Sequence, residues 1–204
     1  MTTHFGKACI AVAALGALSL TGCINLDPAP DPTRFYTIDA PSSPAAPEPE
    51  RRDLLLIGSI SLAGYADQSS LVERRGGHEI VPLTLHRWAE PLSQALPRSI
   101  SARLETALPG SVVTRSPRSS SDGEAVYLQL SVDRFELTGN NEAVVAISWR
   151  LTTSAAAGEA GRAASTVAKK TFESGPDRAA NGVKALSRAL DEAVGTLAAA
   201  IAER

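Results

Sequence analysis

Val126-Tyr127-Leu128-Gln129-Leu130-Ser131-Val132-Asp133 alternates apolar and polar side chains over eight residues. Period-two alternation marks a strand with one buried face and one wet face. A second run of the same kind, Val145-Ala146-Ile147-Ser148-Trp149-Arg150-Leu151, comes after a short gap. Between the two lies Gly139-Asn140-Asn141, three residues that tolerate positive φ. Together they predict a long antiparallel hairpin with one apolar face. Such a face needs a second layer to cover it.

Two segments have the periodicity to supply that layer. Over residues 178–203, Val183, Leu186, Leu190, Val194, Leu197 and Ile201 fall on one stripe, which predicts an amphipathic helix. Its face carries several Ala, which allow close approach to a sheet, and Asn181 and Gly182 weaken its first turn. Upstream, Trp88, Leu92, Ala95 or Leu96, Ile100, Leu104 and Leu108 recur at helical spacing. Pro91 suits the first turn of that helix, Pro97 should kink or restart it, and Pro109-Gly110 ends it.

Further strands are predicted at Arg34-Phe35-Tyr36-Thr37-Ile38, at residues 54–62, at residues 79–85 and at residues 165–172. Pro82 lacks a ladder donor and favours an edge position. Residues 116–123 and 155–164 read as loops. The sum is an α+β domain in two layers: a mostly antiparallel sheet with two main helices packed on one face.

The N-terminus carries a different message. His4 and Lys7 lie in a short polar start, and an apolar run of roughly 13 residues, 8–20, comes next. That run is too short for a bilayer span, which needs about 20 apolar residues. It reads as an export signal. Its end, Leu20-Thr21-Gly22-Cys23, resembles a bacterial lipobox. The resemblance implies removal of residues 1–22, a thioether-linked diacylglycerol on Cys23, and usually a third acyl chain on the new amine. One acyl chain binds a membrane only marginally, whereas two or three anchor it stably. In Gram-negative lipoproteins an Asp after the Cys favours the inner membrane. With Ile24 in that place, the same resemblance implies sorting to the outer membrane, with the domain facing the periplasm.

Residues 23–34, with Pro28, Pro30 and Pro32, read as the lipidated Cys and an extended tether. At about 3.5 Å per residue the tether spans at most about 40 Å, so the domain stays near its membrane. Residues 35–204 read as a single domain with a Pro-rich loop at 40–50. Loss of residues 1–22 leaves 182 of the 204 residues. Of 20 basic side chains only Lys7 is lost, so 19 face 22 acidic ones and the mature net charge is −3. That balance speaks against a nucleic-acid binder and against a polybasic membrane patch. Cys9 leaves with the signal and Cys23 carries lipid, so no disulfide supports the fold.

Signals of chemistry are weak. The chain has no Gly-x-Ser-x-Gly elbow and no phosphate-cradling Gly-rich loop. His78 sits beside Gly76-Gly77 in a predicted turn, and His86 precedes Trp88. Neither stands in a metal-ligand pair. Glu73-Arg74-Arg75 and residues 48–53 read as solvated surface. No catalytic residue, cofactor site or metal site is predicted, and the chain does not read as an enzyme.

Four stretches in order carry a family resemblance. They are Arg34-Phe35-Tyr36-Thr37-Ile38 after the Cys; a core strand leading to Gly64-Tyr65 and Leu71-Val72; His86-Arg87-Trp88-Ala89-Glu90-Pro91-Leu92; and residues 128–136 paired with a strand ending in Ser148-Trp149-Arg150-Leu151. This order resembles the PqiC/YmbA-type lipoproteins, the auxiliary lipoprotein component of MCE-type ABC transport systems. Arg87, Trp88, Glu90 and Pro91 match the family's helix-opening motif, read here as architecture: Trp88 docks the helix on the sheet and Glu90 favours the positive helix N-terminus. The family often has a Pro before Gly64, where this chain has Ala63.

The resemblance implies a non-catalytic lipoprotein that docks the lipid conduit of an MCE-domain protein at the outer membrane and serves inter-membrane lipid transport. It also allows a homo-oligomeric ring. Three alternatives have a comparable class of fold or anchor. A regulator of peptidoglycan synthases needs a longer arm than the two short spacers here. A lipoprotein hydrolase needs a nucleophile–base pair. An assembly lipoprotein of a lipopolysaccharide translocon differs mainly in its partner.

Overall fold

The computed structural model describes residues 30–38, 53–115, 125–153 and 161–203. The predicted export signal at 1–22, Cys23, Ile24, the predicted Pro-rich loop at 40–50, the predicted loop at 116–123 and residues 155–160 of the second predicted loop lie outside the described residues. From Thr33 onward the described residues form one contact-dense unit. Its elements are β1 (Arg34–Tyr36), β2 (Asp53–Leu62), β3 (Ser70–Arg75), β4 (Glu79–Trp88), α1 (Leu92–Ala107), β5 (Ser111–Thr114), β6 (Ala125–Thr138), β7 (Glu142–Thr153), β8 (Arg162–Thr171) and α2 (Arg178–Ala202).

The predicted hairpin is the spine of the sheet. β6 and β7 pair antiparallel from Val126↔Thr153 to Leu137↔Ala143, around a turn in which Asn141 takes a φ of 57°. β8 adds antiparallel to the far side of β7. The other edge of β6 is shared by two strands in succession. β2 runs parallel to its first half, and β3 pairs with Leu137 and Thr138 at its end. β5 pairs parallel with β2, β4 forms a hairpin with β3, and β1 pairs parallel with β4. The class is α+β as predicted. The antiparallel ladders carry most of the paired residues, and four parallel pairings extend the sheet.

Two register shifts keep this long sheet apolar on one side. β6 carries one extra residue at Asp133, between the pairs Val132↔Ile147 and Arg134↔Ala146. An extra residue reverses the phase of alternation. Val126, Leu128, Leu130 and Val132 face the core before it, and Phe135 and Leu137 face the same core after it. β2 does likewise between Ile57 and Ile60 against Leu128 and Leu130 of β6. Without these shifts the second half of each strand would present its apolar set to water.

Both helices cover that one face. α2 lies over β7 and β8, and α1 packs on α2, β5 and β2. The predicted stripe Val183, Leu186, Leu190, Val194, Leu197 and Ile201 is buried, with Ala185, Ala189 and Ala193 between. Gly182, expected only to weaken the helix start, has a packing role. A Cβ there would lie 2.7 Å from Leu137 Cδ1, so its absence lets α2 approach β6.

Four elements differ from the sequence-based expectation. The strand predicted to stop at Leu85 runs on to Trp88, and the helix begins only at Leu92. Trp88 lies four residues before Leu92 and so mimics helical spacing. Pro91, with ψ at 132°, keeps this stretch extended. Pro97 does not restart α1, which continues through it to Ala107. β8 begins at Arg162 rather than Ser165, and β5 is a strand that the sequence does not announce. Pro82 pairs with Val72 on one side, while β1 reaches only residues 86–88 on the other, so Pro82 faces an edge.

Candidate functional site

The motif residues gather at the corner where β4 gives way to α1. Trp88 closes β4 with its N–H donating to Ser69 O at 2.8 Å, and Ala89 N–H donates to Tyr36 O at 2.8 Å. The indole is 6% exposed and meets Phe135 at 6.0 Å between ring centroids, tilted by 48°. Trp88 therefore fixes the end of β4 onto β6 rather than forming the first turn of α1. Glu90 accepts from Arg98 Nη2 at 2.6 Å on both carboxylate oxygens. Its partner is thus a guanidinium on α1, with no side-chain cap at the helix start. Pro91 occupies the N-cap position. Arg87 is exposed and donates to the Ser69 hydroxyl at 3.0 Å. These four side chains build the corner between β4 and α1.

The most densely charged spot lies on the helix-free face of the sheet. Glu136, fully buried at its side chain, accepts from Arg74 Nε at 2.7 Å and Nη2 at 2.9 Å, from Arg134 Nε at 2.8 Å, and from the Tyr65 hydroxyl at 2.5 Å. Arg74 also stacks over the Tyr65 ring, 5.2 Å from its centroid. Burial alone would push the Glu136 carboxyl up; the donors Arg74, Tyr65 and Arg134 outweigh it and hold it below the ordinary carboxylate range. Burial, and next the hydrogen bond to Glu136, raise the Tyr65 hydroxyl.

A second buried carboxylate sits one residue from Arg74. Glu73 is 3% exposed and accepts from Arg75 Nε at 2.6 Å and Arg178 Nη1 at 2.5 Å. Burial again pushes its carboxyl up, and the two guanidiniums bring it below the usual value. Arg178 opens α2 and also binds Asn141 Oδ1 at 2.8 Å and Thr138 O at 2.9 Å. The pair thus ties α2 to β3 and to the β6–β7 turn. A third buried charge joins the helices: Arg103 of α1 reaches Asp191 of α2 at 2.6 Å and the Ser187 hydroxyl at 3.0 Å.

Sequence reasoning misses this set. It expects Glu73-Arg74-Arg75 at the solvated surface, yet Glu73 is buried and Arg74 half-buried. The signal lies in charges placed between Leu71-Val72 and the turn at Gly76-Gly77, and in Arg134 and Glu136 alternating along one face of a core strand.

The histidines do not meet each other. His78 is exposed in the β3–β4 turn. His86 Nδ1 lies 3.0 Å from the Tyr36 hydroxyl oxygen, and burial together with the nearby Arg34 charge lowers the ring's pKa. Among the described residues no group of three His, Cys, Asp or Glu could hold a metal ion. No described helix is long and apolar enough to cross a membrane. A cleft of about 770 Å³ runs beside α2, lined by Thr37, Phe172, Glu173, Asn181, Lys184 and Arg188. An open trough of about 590 Å³ crosses the helix-free face, where Ser61, Ser131, Ser148 and Ser165 stand in register on four adjacent strands.

Comparison with known proteins places this architecture. A family described as "ABC-type transport auxiliary lipoprotein component" matches over residues 36–202. Among curated proteins, no sequence relative matches. A crystal structure of an uncharacterized protein superposes with a TM-score of 0.67 at 20% identity, covering 83% of this chain and 98% of that one. The crystal structure of protein XCC0632 from Xanthomonas campestris, of family DUF330, superposes with a TM-score of 0.60 at 18% identity, covering 80% of this chain and 92% of that one. At such identities the two structures establish a shared fold.

Proposed function

The chain belongs to the family of ABC-type transport auxiliary lipoprotein components, and from that premise we propose that it is a non-catalytic docking module of an MCE-type ABC transporter. Anchored in the outer membrane through Cys23, it receives the far end of the lipid conduit formed by an MCE-domain protein. The observation that carries this reading is the family match over residues 36–202, beginning just after a lipobox-like Leu20-Thr21-Gly22-Cys23. The buried charges favour a rigid adaptor. Glu136, Glu73 and Arg103 are each neutralised by partners on other elements, an arrangement that fixes relative positions.

The anchor is checked by Cys23→Ser. A thiolate is needed to accept the diacylglycerol, so this variant is expected to be folded but soluble or uncleaved. Continued fractionation with membrane after cleavage would contradict the anchor. The partner is checked by pull-down of tagged, lipidated protein from native envelopes, with mass spectrometry of the proteins captured alongside it. An MCE-domain protein recovered with its permease and ATPase is the expected result. A peptidoglycan synthase or a β-barrel translocon without any MCE protein would overturn the proposal.

A further inference from the structure

We propose that Phe35 and Leu85 form a small membrane-contacting patch that seats the tethered edge of the domain in the headgroup region of the bilayer. This rests on the reading of Cys23 as the lipid anchor. Four large apolar side chains are exposed among the described residues: Phe35 at 62%, Val167 at 55%, Leu85 at 49% and Tyr127 at 43%. Tyr127 and Val167 lie on β6 and β8. Phe35 and Leu85 lie on the paired strands β1 and β4, with Phe35 opposite Arg87 and Leu85 two residues before it.

A distortion of β4 presents Leu85 to solvent. Against β3 its register jumps from Leu71↔Leu83 to Ser70↔Arg87. Leu83 before the jump and Trp88 after it pack on the core, whereas Thr84, Leu85 and Arg87 are exposed. The strand irregularity therefore leaves a leucine exposed on β4, two residues before the position that pairs with the exposed Phe35 of the edge strand β1.

The position of this patch along the chain identifies its occupant. β1 is the first described element after Cys23, and only residues 24–34 separate the anchor from Phe35. At about 3.5 Å per residue that link holds Phe35 within about 40 Å of the lipid. Two side chains bind a bilayer poorly by themselves. A tether makes their contact intramolecular, and its high effective concentration offsets the small area. Aromatic and leucine side chains favour the boundary between headgroups and acyl chains. Arg87 beside Phe35 adds a cation suited to anionic headgroups. Arg34, next to Phe35 in sequence, is engaged by Asp177 at 3.0 Å.

The test uses full-length, lipidated protein in vesicles of phosphatidylethanolamine and phosphatidylglycerol, with part of the lipid brominated high on its acyl chains. Phe35→Trp adds a reporter; Trp88 and Trp149, each 6% exposed, give a background measured in the unmutated chain. Brominated lipid is expected to quench F35W at least twofold more than the unmutated protein, and adding Leu85→Ser should reduce that excess. Vesicle flotation is measured in parallel. A protein that floats while F35W shows no excess quenching overturns the patch and leaves the anchor intact. A protein that does not float overturns the anchor reading, and the patch with it.

Discussion

Trp88→Ala is expected to lower the folding stability by roughly 3–5 kcal/mol, the range for deleting a large aromatic from a core. The indole is 6% exposed and meets Phe135 at 6.0 Å between centroids. Its loss removes the buried area and the aromatic pair, which by itself contributes about 0.5–1.5 kcal/mol. The backbone is in no position to close the gap. Trp88 is held by Ser69 through its N–H and lies in register with Tyr36 of β1. Chemical denaturation should show a lower midpoint with an unchanged slope, and the melting temperature should fall by roughly 10 °C for a domain of this size. Arg87→Ala supplies the contrast within the same motif. That side chain is exposed and makes one hydrogen bond to a hydroxyl, so its removal should cost less than about 0.5 kcal/mol. Equal stability of Trp88→Ala and the unmutated chain would mean that the corner at β4 and α1 is open in solution.

Trp88 also shows where the sequence is ambiguous. Its spacing to Leu92 and Leu96 fits a helix, and its place at the end of β4 fits a strand; both put it on the buried face. Only the restriction imposed by Pro91 decides between them. The hairpin and α2 are legible because each repeats one period over many residues. β5 has four residues, too few to show any period. The phase shifts in β2 and β6 leave a mark that is easily passed over. In Ile57-Gly58-Ser59-Ile60 and in Val132-Asp133-Arg134-Phe135, two non-apolar residues stand together between apolar ones. In each, the alternation resumes with the opposite phase, as one extra residue requires. The buried charges are illegible for a different reason. Arg75 and Arg134 lie two residues from Glu73 and Glu136 and leave a local trace, but the other guanidiniums arrive from α2 and from β3, and no local pattern announces a partner from so far along the chain.

Glu136→Ala should cost about 3 kcal/mol, at the lower end of the range for removing one partner from a buried charge cluster. The lower end applies because Arg74 and Arg134 keep 22% and 36% of their side-chain surface in water, while the carboxylate they share has none. Truncation leaves two guanidiniums close together with no counter-charge, and the Tyr65 hydroxyl without its acceptor. Glu136→Gln separates charge from shape, since the amide fills the site but cannot neutralise both arginines. The two variants should also differ from the unmutated chain in acid. Glu136 and Glu73 titrate below the ordinary carboxylate value in the folded protein. The unfolded chain, with glutamates near 4.3, therefore binds protons first as pH falls. The stability these groups confer is complete above that value and is lost as pH falls through the folded pKa. Urea unfolding across pH 7 to 3 should show a steep loss below about pH 4.3 in the unmutated chain and a shallower one in Glu136→Gln. Parallel profiles would locate the acid sensitivity elsewhere. A Glu136→Ala chain as stable as its parent at pH 7 would mean that Arg74 and Arg134 reach solvent freely, and that the cluster does not hold β3 to β6.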